Sequence, residues 1–274
     1  WHTLSLHDAL PISQLGPVVH HFGVQELIDA VRAVPQDAVA EDRRALDALD
    51  LPREDEIPDQ ALELTSRYTL AIREMFAWQG LDALAIRCWP ELPNVLGAWP
   101  YVAFARLGDE GHALAMEGDL DGGLTLLLGK LMGYGTGYLS DWLEHDRHTL
   151  TLWHQGEAPI SLCDPDTLAL ARHFNNDKPV VVDAQLAAHR EITLARLWHC
   201  DGAYRMTAVD ARTARPPRPL RGTSGLAVFD SLDVREWFDH LCHEGMPHHL
   251  ALLQGRRADE LRRLARVLDV AWID

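Results

Sequence analysis

ALAMEGDLDGGLTLLLGKLM, residues 113–132, decides how the first half of this chain folds. Ala113 to Met116 is an apolar run of strand length, it breaks at Glu117-Gly118-Asp119, and Asp121 to Met132 then reads as a helix. Immediately upstream the same order occurs. Ala83 to Ile86 reads as a short strand, the loop CWPELPNVLGAWP (88–100) carries prolines and a glycine that argue against regular structure, Pro100 starts a helix, and Gly108 ends it. Strand, helix, strand, helix implies a parallel sheet. Further upstream, Leu64, Tyr68, Ala71, Ile72, Met75 and Phe76 recur at helical spacing, with Asp59 placed as N-cap and Gly80 just past the end. The acidic stretch Asp37 to Gln60, with Pro52 and Pro58, reads as an exposed helix and connecting loop that offers no chemistry.

Beyond about Gly137 the pattern becomes antiparallel. Thr149 to Trp153 and Val180 to Asp183 read as strands, and Glu191 to Cys200 and Ala203 to Asp210 flank Asp201-Gly202, a dipeptide suited to the left-handed conformations of a tight hairpin. Val234 to His243 reads as a helix, Leu250 to Leu253 as a strand, Ala258 to Leu268 as a helix and Val270 to Ile273 as a final strand. The expected class is α/β followed by mostly antiparallel β, without internal repeats.

With 274 residues, of which 47% are hydrophobic, the chain is long enough for two domains with separate cores. No apolar run approaches the roughly 18 residues of a membrane span. A formal charge of -16 repels phosphate backbones, and no basic cluster interleaved with aromatics reverses this locally, so nucleic acid is excluded as an expected partner. Cys88, Cys163, Cys200 and Cys242 are scattered without zinc-site or disulfide spacing, which fits a reducing cytoplasm. Trp1 to Ser13 (WHTLSLHDALPIS) contains no methionine and reads as a non-native leader, translated adapter sequence joined to an incomplete reading frame. The chain is accordingly expected to be a fragment.

A few residues carry possible chemistry. Glu117 would project from the C-terminal end of a parallel strand, where ligands bind in such sheets, although Glu117 and Asp119 could equally cap and solvate the next helix. Asp141 lies in GYGTGYLSDWLEHD and by itself reads as a turn aspartate. His154 ends the strand TLTLW, a place where histidines are more often hydrogen-bonded structure than ligands. His248 and His249 precede the strand LALL, so their side chains are expected on opposite sides, with only one facing any given site. The remaining histidines show no ligand spacing and read mostly as surface residues. Two carboxylates with one or two imidazoles and no thiolate would suit Mn²⁺ or a similar divalent ion.

Five segments carry a resemblance: CWPELP (88–93), AMEGDLDGGLT (115–125), YLSDW (138–142), WHQGEAP (153–159) and GMPHHLAL (245–252) resemble, in order, segments of the L-fucose/L-arabinose isomerase family. The likeness runs from about residue 60 to residue 274. It implies Glu117 and Asp141 as metal ligands and as the catalytic acid/base pair. It also implies a histidine ligand near the C-terminus, His249 with His248 as the fallback, and a further histidine resembling His154, a metal ligand or a substrate contact. Trp89 and His248 are weaker candidates for touching substrate.

The resemblance further implies Rossmann-like domains followed by a domain with a β-barrel, assembled as a homo-oligomer in which a neighbouring subunit can complete the sugar pocket. The expected layout is a leader at 1–13, a partial Rossmann-like domain at 14–137 and a C-terminal isomerase domain with a β-barrel at 138–274. The implied reaction interconverts an aldose and a ketose, a pentose or deoxyhexose, through an ene-diolate, so one group must take a proton and another deliver one. Two other functions use the same residues: another metal-dependent enolate enzyme, an epimerase or aldolase, and a sugar-binding module that has lost catalysis.

Overall fold

The computed structural model describes residues 14–54 and 56–274, so the expected leader at 1–13 lies outside the described residues. Helices α1 (Val24–Ala33), α2 (Gln36–Asp47) and α3 (Asp59–Gln79) come first. Next are strand β1 (Ala83–Ala85), helices α4 (Glu91–Leu96) and α5 (Tyr101–Asp109), strand β2 (Ala113–Ala115) and helix α6 (Leu120–Leu131). β1 and β2 pair in parallel, Ala83 opposite Ala113, as the strand–helix order requires.

Several local expectations need correction. The prolines of the 88–100 segment do not prevent a helix, because Pro93 falls in the first turn of α4, where the backbone N–H has no intrahelical partner. Gly108 does not end α5. It lies inside it, where a Cβ would come within 2.7 Å of Pro159 Cγ, so the glycine serves close packing. Pro58 rather than Asp59 is the N-cap of α3, whereas Gly80 takes the expected left-handed cap at φ 63°. The acidic helix α2 is not wholly exposed: Val39, Asp42 and Leu46 are buried, and Asp42 receives both terminal nitrogens of buried Arg106, at 2.7 and 2.9 Å.

The second half supplies β3 (Tyr138–His145), β4 (Thr149–His154), β5 (Ala169–Arg172), β6 (Pro179–Gln185), β7 (Glu191–Cys200), β8 (Ala203–Ala214) and β9 (Thr223–Val228). Helix α7 (Val234–His243), strand β10 (His249–Gln254), helix α8 (Ala258–Val267) and strand β11 (Ala271–Trp272) complete it. The order β8-β7-β10-β3-β4-β9 closes through the β8–β9 pairing, giving a six-stranded antiparallel barrel. β6 adds to β9 in parallel with β5 outside it, and β11 adds to β8. Asp201 and Gly202 link β7 and β8 with φ of 52° and 80°, the left-handed pair of a tight hairpin.

Strand alternation divides the packing. Leu150, Leu152, Leu194, Trp198, Leu250 and Leu252 meet in one core with residues from every barrel strand. The intervening Ala195, Leu197, Ala251 and Leu253 instead pack against Leu124 and Leu126 of α6 and Leu261 and Ala265 of α8. Gly129 lets α6 lie directly on β10, since a Cβ there would meet Leu253 Cδ2 at 2.6 Å. α6 thus joins the small parallel sheet to the barrel, and its N-terminus, with Glu117 just before it, sits at the barrel mouth. Among the described residues no helix is long and apolar enough to cross a membrane.

Candidate metal and active site

Asp141 lies mid-strand in β3, correcting its reading as a turn residue. It is directly opposite His249 in the β3–β10 ladder and opposite Trp153 in the β3–β4 ladder. Register therefore brings β10 and the end of β4 to the same carboxylate. Asp141 Oδ1 is 3.3 Å from His249 Nε2, 3.3 Å from His248 Nε2 and 3.7 Å from His154 Nε2. Glu117 reaches the group from the other side of the mouth, with Oε2 3.6 Å from His249 Nε2. The four residues expected as ligands from distant segments thus converge through these contacts, and Asp141, His248 and His249 offer ligand atoms all within 4.8 Å of one another.

The expectation that only one of His248 and His249 can face the site is overturned. His249 is the first residue of β10 and His248 precedes the strand, so strict alternation does not constrain that step. Their rings stand 4.4 Å apart, His249 buried and His248 exposed.

Each buried histidine is backed by a carboxylate. Asp119 Oδ2 accepts from His249 Nδ1 at 2.8 Å, and the same carboxylate is held by Arg196 at 2.5 and 2.8 Å and by the backbone N–H of Gly122 at 2.9 Å. His154 Nδ1 stands 3.0 Å from Glu157 Oε1. Both arrangements direct Nε2 toward Asp141; His249 Nε2 is left without a hydrogen bond of good geometry, and at His154 neither ring nitrogen makes one, the Glu157 contact being an ion-pair approach only. His249, hydrogen-bonded on Nδ1 to a carboxylate with Nε2 bare, has the usual arrangement of a metal-ligating histidine, in which the second partner fixes the ring and raises its basicity, and His154 has a carboxylate in the same place. The donor set, carboxylate oxygen with imidazole and no thiolate, fits Mn²⁺ or a comparable divalent cation.

Electrostatics agree. Burial alone would raise Asp141, but the imidazoles of His248 and His249 beside its carboxylate outweigh it and hold the carboxyl well below its usual range. Asp119 behaves alike: burial opposes ionisation, and His249 and Arg196 overcome it. Burial works against a charged His249, yet Asp119 and Asp141 push it up to about 9. For His154 burial lowers and Glu157 and Asp141 raise, with a net upward shift. Four like-disposed carboxylates surrounding two imidazoles form a site built for positive charge.

Glu117 has a left-handed φ of 58°, which turns the chain out of β2 so that its side chain leaves toward the barrel while Asp119 caps α6. Asp119 is the helix cap expected of it and also orients His249. Trp89 is half-exposed between β1 and α4. The supporting residues Glu157, Arg196 and Gln155 carried no expectation from the sequence, and His173, one of the histidines read mostly as surface residues, is buried. Glu157 stands three residues after His154 within WHQGEAP, a spacing that could have signalled it, but Arg196 comes from β7 and His173 from the turn after β5, and neither left a local sign.

No family model matches this chain. Sulfoquinovose isomerases are similar to it: among them, that of Priestia aryabhattai is 29% identical over 264 residues, covering 94% of this chain, and that of Clostridium sp. (strain MSTE9) is 27% identical over 263 residues, covering 92%. An L-arabinose isomerase of Thermotoga neapolitana is 29% identical over 136 residues, covering 48% of this chain and 27% of its own length. The chain spans 58% of the length of each of these two sulfoquinovose isomerases. Its similarity is thus to sugar isomerases, across the parallel sheet as well as the barrel.

Proposed function

We propose that this chain is the metal-carrying portion of an aldose–ketose isomerase acting on a pentose or deoxyhexose. The observation that carries this reading is the pair of carboxylate-backed imidazoles aimed at one aspartate. A sugar-binding module has no need of such a set, and the similarity to sugar isomerases supplies the reaction class. A divalent cation bound there would supply Lewis acidity toward the negative charge that develops on the sugar O1 and O2. His249, His154, Asp141 and Glu117 would hold it, with Asp119 and Glu157 orienting the two imidazoles.

Glu117 and Asp141 then divide the proton work between C1 and C2: one takes the proton from the α-hydroxycarbonyl carbon as the ene-diolate forms, and the other returns one on the neighbouring carbon. For substrate we propose a deoxyhexose. The relatives covering most of the chain bear the name of sulfoquinovose, a sulfonated deoxyhexose, whereas the arabinose-type pentose rests on a match to half of it. We further propose residues 14–137 as part of a Rossmann-like domain and 138–274 as the C-terminal domain, in a cytoplasmic homo-oligomer when full length.

Calorimetry with Mn²⁺ tests the reading, comparing the unaltered chain with Glu117→Gln and His249→Ala. Binding that is lost in both variants, followed by formation of a ketose of unchanged carbon skeleton from sulfoquinovose or L-arabinose seen by ¹³C NMR, supports it. A chain that binds no divalent cation refutes it, and an epimer or a cleaved product would point to the other enolate chemistries.

A further inference from the structure

One side chain links the proposed active site to a buried aromatic cluster. Gln155 follows His154 at the end of β4, and its Nε2 donates to Glu117 Oε1 at 2.6 Å. Its Oε1 accepts from the Tyr101 hydroxyl at 3.1 Å and lies 3.1 Å from His173 Nε2. The direction of this chain is set at its far end. The backbone N–H of Asn175 points at His173 Nδ1, 3.3 Å away, so that nitrogen accepts and Nε2 carries the proton of the neutral ring. A donating Nε2 and a donating Tyr101 hydroxyl both require the oxygen of the Gln155 amide, which leaves only its NH₂ group for Glu117.

The parts are held tightly. His173 is buried and stacked on Trp99 with centroids 4.3 Å apart and planes at 24°, and Trp99 Nε1 is itself anchored on Asn176 Oδ1 at 3.1 Å. Burial lowers His173 to about 4, in keeping with the neutral ring. The backbone of Gln155 is clamped as well. A Cβ on Gly222 would fall 2.4 Å from His154 O, and one on Gly156 would fall 2.8 Å from Val182 O, so the strands on both sides approach as closely as glycine permits.

We propose that Gln155 and His173 are positioning residues for Glu117: the relay occupies Oε1 with a donor and so presents Oε2 to the cation and the sugar. This rests on the proposed metal site, because Oε2 is the oxygen that faces His249 Nε2. Neither residue touches the cluster around Asp141 directly. Their effect passes through one amide, and it gives Glu117 a single working oxygen.

The test uses two measurements on the chain. In the metal-free protein, ¹⁵N NMR reads the His173 tautomer, expected with the proton on Nε2. Mn²⁺ affinity is then measured by calorimetry for Gln155→Leu, His173→Leu and His173→Gln, with thermal unfolding as the check on folding. Loss of the relay is expected to weaken Mn²⁺ binding about tenfold or more in each leucine variant, the scale of lost outer-shell support. His173→Gln keeps a donor and is expected to recover most of that loss, which a merely space-filling role would not produce. Doubling the leucine substitutions should cost little beyond Gln155→Leu, since both interrupt one chain. Unchanged Mn²⁺ affinity in the folded variants, or a proton on Nδ1 of His173, overturns the proposal while the metal site stands. Absence of Mn²⁺ binding by the unaltered chain overturns the metal reading itself and the relay's purpose with it.

Discussion

Asp119→Asn should separate the two tasks that Asp119 performs. The carboxylate makes a two-pronged pair with Arg196, whose side chain is 3% exposed, and it also receives His249 Nδ1. Asparagine keeps the volume and the N-cap on α6, so the helix start is preserved. What disappears is the charge. Arg196 is left buried without a counter-ion, a change that costs about 3 kcal/mol, and at the usual slope for a chain of this size that lowers the unfolding midpoint by roughly 6–12 °C. His249 loses the carboxylate that fixes its ring and raises its basicity, so Mn²⁺ affinity should fall by about one order of magnitude. Calorimetric unfolding and Mn²⁺ titration measure the two losses independently. Adding Arg196→Met to Asp119→Asn removes the stranded cation and should restore much of the stability while leaving Mn²⁺ binding weak. The reasoning is refuted if Asp119→Asn binds Mn²⁺ as tightly as the unaltered chain, or if Arg196→Met restores the affinity along with the stability.

Further outcomes follow from neighbouring contacts. In the metal-free chain His249 is raised to about 9, burial opposing the charge and Asp119 and Asp141 overcoming it, so its protonated form stabilises the fold fully below about 6.5 and that contribution fades as pH rises through about 9. Mn²⁺ must displace that proton. Its apparent affinity should therefore climb across this window, with proton release visible as a buffer-dependent heat; a pH-independent affinity would exclude His249 as a ligand. Gly222→Ala places a Cβ 2.4 Å from His154 O at φ 90°, and should cost about 2 kcal/mol or more and weaken Mn²⁺ binding, whereas an unperturbed variant would show that the clamp on His154 is loose. Arg106→Met leaves Asp42 buried with only Arg73 at 3.8 Å, so stability should drop by roughly 3 kcal/mol with Mn²⁺ affinity intact, and denaturant unfolding beside calorimetry would expose any coupling. His248→Ala tests the exposed third histidine: weaker Mn²⁺ binding makes it a ligand, and unchanged binding leaves it to the substrate.

Much of the fold was legible in local pattern. Helical recurrence ending at Gly80, the Asp201-Gly202 hairpin and the helix from Val234 to His243 all depend on neighbours a few residues apart, and the structure reproduces them. Where local reading failed, a specific contact decided otherwise. Gly108 looked like a helix terminator because nothing in the sequence announces that Pro159 packs against it, and Asp42 looked solvated because its partner Arg106 lies 64 residues away. Asp141 reads as a turn residue until strand pairing sets it opposite His249.

By itself, the sequence determined the order of elements, the chemistry of the donors and the identities of Glu117, Asp141, His154 and His249 as candidates, because residue type, periodicity and motif are local properties. Only the tertiary structure decided that these four residues are linked by contacts at Asp141 and His249, that both His248 and His249 approach Asp141, that Asp119 and Glu157 stand behind the two imidazoles, and that His173 is tied to Glu117 through Gln155. The physical reason is barrel closure. Ladder register between β3, β4 and β10 sets which side chains share the mouth, and register is a relation between distant strands that no single stretch of chain contains.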